Sequence, residues 1–116
     1  MVRRVAVEQF PDVVVFAESL YGKLRMHLID GSYVDVWFSR KFPGRYAYHW
    51  ERRHVNGSIY RHDNRSHEHL RNMMSFPKHF HDGSEDNVKE STINGNPTEA
   101  IREFLSFIRS KLETRS

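Results

Sequence analysis

Cysteine is absent from all 116 residues of the chain. That excludes a disulfide framework and every thiolate metal site, and it fits a reducing compartment. Long apolar runs are missing too. No stretch approaches the roughly 20 residues of a membrane-spanning helix, and the mean hydropathy is −0.73, so no membrane partner is expected. The opening Met1-Val-Arg-Arg-Val-Ala-Val lacks the apolar core and small-residue cleavage site of a secretory signal. The expected location is the cytoplasm. There is no internal repeat or low-complexity tract, and the length leaves no room for a second independent core. A single domain over residues 1–116 is expected, with a hydrophobic share of 38% to supply a modest core.

Net charge is also scarce, at +3, until it is divided along the chain. Residues 40–81 hold nine Lys/Arg against three Asp/Glu, together with seven of the eight histidines, while both flanks are slightly acidic. Charge segregated in this way points to an anionic partner for the basic segment, phosphate backbones first, or to a solvated basic face.

The pattern predicts an α+β fold. Val13 to Leu20 is a β-branched run after Pro11, Lys23 to Ile29 alternates, and Asp30-Gly31-Ser32 turns into a second alternation from Tyr33 to Phe38. Phe42-Pro43-Gly44 interrupts. Arg45 to Arg53 is aromatic and strand-like, Asn56-Gly57 signals a tight hairpin, and Ser58 to Asp63 is the return strand. The expectation is a small antiparallel meander of four to five strands over about 12–63, a long His-rich loop over 64–95, and a C-terminal helix over 97–113. For that helix Asn96 is the cap, Pro97 the first residue and Glu99 the capping-box partner, with Ile101, Phe104, Leu105, Ile108 and Leu112 on one face. Lys111 and Arg115 complement its dipole.

Chemistry concentrates between Tyr46 and His81. His67-x-His69 and His79-x-His81 are spaced so that, in extended chain, each pair points to one side. Three readings follow. Four imidazoles, His67, His69, His79 and His81, or two of them plus a carboxylate, suit zinc or manganese and a metal-dependent hydrolase. Without a metal, histidine can act as both acid and base in RNA cleavage, with arginine steadying the phosphate and Tyr46, Tyr48, Trp50 and Tyr60 available to stack bases. A strand's core face would show the same aromatic alternation, and that is the expected role of at least two of Tyr46, Tyr48 and Trp50. Third, a basic aromatic face can bind nucleic acid or an acidic protein segment without catalysis.

The order Tyr48-His49-Trp50, Arg61-x-Asp63-Asn64-x-x-His67 and Phe76-Pro77-x-His79-x-His81, with Val88 and Ser91 downstream, resembles the TumE family. These are small prokaryotic proteins classed as the toxin half of toxin–antitoxin pairs. The resemblance covers about residues 45–112, and Arg61, Asp63, Asn64, His67, Phe76, Pro77, His79 and His81 match its shared core. Two positions depart from it: Glu68 separates His67 from His69, and Lys78 stands where a histidine is common.

The resemblance implies a toxin acting on RNA, with a small DNA-binding antitoxin as partner. The leading expectation is a metal-independent ribonuclease with no cofactor. His67, His79 and His81 are its acid/base candidates. Asp63 either orients a histidine or caps the turn after the strand. Arg61, Arg65, Lys78 and Asn64 are the substrate-binding candidates. A non-catalytic nucleic-acid- or antitoxin-binding module is the alternative, and the four-histidine metal hydrolase the next.

Overall fold

Seven antiparallel strands lie side by side in sequence order. The computed structural model describes residues 1–113. Helix α1 (Val2–Gln9) precedes β1 (Val14–Leu20), β2 (Lys23–Leu28), β3 (Tyr33–Phe38) and β4 (Tyr46–Arg52). A single helical turn, α2 (Arg53–Asn56), leads into β5 (Ser58–Asp63). A 3-10 turn (Glu68–Leu70), β6 (His79–Gly83), β7 (Val88–Glu90) and α3 (Pro97–Glu113) complete the described residues. None of the described helices is long and apolar enough to cross a membrane.

The α+β class, the meander and the C-terminal helix agree with expectation, and the strands expected over 12–63 are β1 to β5. Two further strands, β6 and β7, occupy the stretch expected to be a His-rich loop. The reason is visible in β6. His79 and His81 fill the inward positions of one face and Phe80 points to the other, so the period-2 alternation is written in imidazoles rather than in apolar residues.

Helix α1 was not expected either. Its valines disfavour an isolated helix, but Val5 and Ala6 are buried in the common core, and tertiary packing supplies what propensity does not. At Asn56-Gly57 the connection is not a two-residue hairpin. Helical turn α2 ends at Gly57 with φ +82°, and Asn56 Oδ1 accepts from the Ser58 N–H at 3.1 Å. The two-residue hairpin lies instead between β1 and β2, where Tyr21 (φ +47°) and Gly22 (φ +81°) both take the positive φ that a type I′ turn requires.

Asn96 caps α3 as expected: its Oδ1 accepts from the N–H groups of Thr98 and Glu99, at 2.9 and 3.2 Å. Lys111 lies over the Tyr60 and Phe107 rings; Arg115 falls outside the described residues.

Register divides the sheet into two unlike faces. One carries Val14, Ala17, Met26, Leu28, Val34, Val36, Tyr48 and Trp50 and packs on Val5 and Ala6 of α1 and Ile101, Phe104, Leu105 and Ile108 of α3. The other is ionic. Across it Glu18 meets His27 at 2.6 Å, and Arg25 meets Asp35 in a bidentate pair at 2.8 and 3.0 Å. His49, Arg61, Asp63, His79 and His81 continue this face toward β6 by direct cross-strand pairing.

Candidate functional site

Three buried polar side chains meet on the ionic face where β5 ends and β6 begins. Asp63 stands directly opposite His79, and Arg61 opposite His81. Exposures are 9% for Asp63, 1% for His79 and 8% for His81. His79 Nε2 lies 3.0 Å from Asp63 Oδ1, and His81 Nε2 3.8 Å from Oδ2. Both imidazoles turn their other nitrogen to a main-chain carbonyl: Nδ1 of His79 donates to Pro77 O at 3.0 Å, and Nδ1 of His81 to Glu85 O at 2.9 Å.

The carboxylate is held from two further sides. Its Oδ1 accepts from the Arg65 N–H at 3.0 Å, an Asx turn, and its Oδ2 from Arg61 Nε at 3.0 Å. Asp63 caps the turn after β5; it lies beside both histidines without accepting a hydrogen bond from His79 Nε2, and main-chain carbonyls hold the two rings instead. Arg61 reaches on to Glu85, with Nη1 at 3.0 Å, and to His49 Nδ1 at 3.3 Å, while His49 Nε2 donates to Glu51 at 3.0 Å. Hydrogen bonding from Arg61 holds the Glu85 carboxyl down at about 2. Burial, with Arg61 and His79 nearby, lowers His81 below the ordinary imidazole range.

His67 lies at the lip of this cluster, its ring centroid 5.7 Å from that of His79. Desolvation and the neighbouring His79 lower its pKa as well. It lines an open cleft of about 310 Å³ together with Trp37, Arg45, Tyr46, Ala47, Arg61, Asp63 and Arg65. Burial and the nearby Asp63 charge push the Tyr46 phenol up to about 12.

Other candidates lie elsewhere. Lys78 sends its ammonium to the Ile93 carbonyl and away from the cluster. Asn64 uses its whole amide on backbone, accepting from Tyr46 N–H at 2.9 Å and donating to Gly44 O at 2.7 Å. It staples the start of β4 to the end of β5. His69 is exposed in the 3-10 turn, its ring beside that of His67, 5.5 Å between centroids. The four-histidine set therefore does not assemble; the group that does is Asp63, His79 and His81. Tyr48 and Trp50 are core residues, 2% and 0% exposed.

Glu85, His49, Arg45 and Trp37 join the site without being among its expected residues, although His49 belongs to the Tyr48-His49-Trp50 motif. His49 and Trp37 carried a signal, as the outward members of alternating strands. Glu85 carried none, because it reaches Arg61 from the β6–β7 turn.

Folding also redistributes the basic charge. Arg52 pairs with Asp30, Arg53 with Glu51 and Glu85, Arg61 with Asp63 and Glu85, and Arg71 with Glu68. Among the described residues, Arg40, Lys41, Arg45 and Arg65 make no salt bridge, and Arg45 and Arg65 both line the cleft beside His67.

A protein-family model described as Toxin TumE matches residues 2–112. No curated protein and no solved structure matches the chain.

Proposed function

Since this chain belongs to the TumE toxin family, we propose that it is the toxin of a toxin–antitoxin pair and acts by cleaving RNA in the cleft above Asp63, His79 and His81. The observation that carries this reading is the company His67 keeps. Arg45 and Arg65, which make no salt bridge among the described residues, and the half-exposed ring of Trp37 share one cleft with it.

Each component has a task in phosphodiester cleavage. The arginines hold a phosphate and offset charge developing on its oxygens. Trp37 offers a stacking surface for an unpaired base. His67, whose pKa is lowered by burial and the neighbouring His79, takes the proton of the attacking 2′-hydroxyl; that oxygen bonds to phosphorus, the P–O5′ bond breaks, and the leaving oxygen takes a proton from water. His79 and His81 lie behind it, too enclosed to meet a 2′-hydroxyl directly. The partner is an antitoxin that covers the cleft, and a small DNA-binding protein whose acidic segment pairs with Arg45 and Arg65 fits that task. Cytoplasmic RNA is the target.

The test is incubation of purified protein with end-labelled RNA, with and without added zinc or manganese. Cleavage by the wild type and a loss of at least 100-fold in His67→Ala, at unchanged circular dichroism, is expected. Intact RNA under every ion condition, from a protein that still arrests growth, would overturn the reading in favour of a non-catalytic binding module.

A further inference from the structure

We propose that Asp63, His79 and His81 form a binding site for one divalent transition-metal ion of the zinc class. One ligand atom from each residue lies within 4.8 Å of the other two. The inference stands on this geometry alone and does not require that RNA be the substrate.

The protons decide it. A main-chain carbonyl can only accept, so Nδ1 of His79 and Nδ1 of His81 both carry hydrogen, donated to Pro77 O and Glu85 O. In a neutral imidazole the remaining Nε2 is then a bare lone pair. Both Nε2 atoms nevertheless lie beside the oxygens of one carboxylate, at 3.0 and 3.8 Å. Two lone pairs crowded beside a carboxylate, with no hydrogen bond joining His79 Nε2 to it, are the donors of a cation site. His79 Nε2 is buried and has no hydrogen-bond partner, in a side chain 1% exposed. Such an orphan is costly, about 1–3 kcal/mol for a neutral polar group. A single divalent ion satisfies all three donors at once.

The surroundings fit a metal centre. Ligands 2.0–2.1 Å from a tetrahedral ion stand roughly 3.3 Å apart; here His79 Nε2 is 3.0 Å from Asp63 Oδ1, His81 Nε2 is 3.8 Å from Oδ2, and one donor atom of each residue lies within 4.8 Å of the others. Each histidine is fixed in tautomer and orientation by a carbonyl on its far nitrogen, and the carboxylate by the Arg65 N–H and Arg61 Nε, the outer-shell pattern of ligating residues. Two nitrogen donors against one oxygen favour zinc, cobalt or nickel over magnesium and calcium. Three protein ligands leave a position for water or a phosphate oxygen, and Asp63 is the ligand that also lines the cleft.

The test is direct. The full chain is dialysed against EDTA and then against buffer, and titrated with zinc by calorimetry and with cobalt by visible absorption. Expected are one equivalent bound, cobalt d–d bands of a nitrogen–oxygen site, and a rise in Tm on adding zinc. Asp63→Asn and His81→Ala should each weaken zinc at least tenfold, whereas His69→Ala should bind as the wild type does. If a variant fails to fold, the wild-type titration and its cobalt spectrum still decide. Absence of binding above trace in the wild type overturns the site, as does a zinc affinity that follows His69 rather than Asp63. Stoichiometric binding without RNA cleavage would remove the ribonuclease reading alone; cleavage undiminished in EDTA by a protein that binds no zinc would remove the metal alone.

Discussion

His62 and His81 lie one step apart on neighbouring strands, and the pleat sends them to opposite faces. His81 enters the ionic cluster. His62 goes into the core side, stacked on Phe80 at 4.3 Å and edge-on to Phe104, with Nδ1 2.8 Å from Ser91 Oγ. Burial, reinforced by the Lys78 charge, lowers its pKa to about 4. The folded chain thus takes up this proton later than the unfolded chain does. Its contribution to stability is complete above about 6.5, the unfolded value, and is lost as the pH falls toward about 4. The size is on the order of 2–3 kcal/mol, since one pKa unit is about 1.4 kcal/mol and the ring is not fully enclosed. His62→Phe keeps the stacking and has no proton to gain. Thermal melts at pH 7, 5 and 4 in EDTA should show a shallower acid decline for the variant than for the wild type. Parallel declines would mean that other groups carry the acid sensitivity.

At the scale of elements, the β1–β2 turn is the clearest local conflict. Tyr21 is fully exposed and sits at φ +47°, a region that disfavours side chains with a Cβ and tolerates asparagine best after glycine. Asn-Gly is the preferred type I′ pair. Tyr21→Asn should therefore stabilise the protein by roughly 0.5–1 kcal/mol, read as a higher denaturation midpoint with unchanged m value. A lower midpoint would show that the Tyr21 ring does something the exposed geometry does not reveal. The same elements show what local patterns can carry. Strands β1 to β5 and α3 were legible because apolar residues recur at a period of 2 or 3.6 and their turns use Gly, Asn or Pro. Strand β6 was not, because its inward positions are occupied by the site itself. His79-x-His81 and Arg61-x-Asp63 could be picked out as pairs, but which residues converge depends on register between strands. Lys78 shows this: it adjoins His79 in sequence, yet its ammonium goes to Ile93.

For the whole molecule, the relevant charge is what remains after folding has paired it. The basic segment 40–81 reads as a continuous anion-binding strip in the sequence, but Arg52, Arg53, Arg61 and Arg71 meet carboxylates. Arg40, Lys41, Arg45 and Arg65 make no salt bridge among the described residues, and they sit at the β3–β4 connection and just beyond β5. Of these, Arg45 and Arg65 line the cleft, whereas Arg40 lines a separate pocket with Val2 of α1. A single strand of RNA neutralised by these cations releases counterions, with a slope of about −0.7 in log K against log salt per phosphate contact. If RNA lies in the cleft, Arg45→Ala and Arg65→Ala should each weaken binding and make that slope shallower by about 0.7, whereas Arg71→Ala should leave the slope unchanged because Arg71 already serves Glu68. Fluorescence anisotropy with a labelled single-stranded RNA between 50 and 300 mM salt reads both quantities. Equal slopes for all three variants would place the RNA on some other surface. The cleft would then be left as the face an antitoxin covers, with the buried Asp63, His79 and His81 behind it still to be explained by the ion they hold.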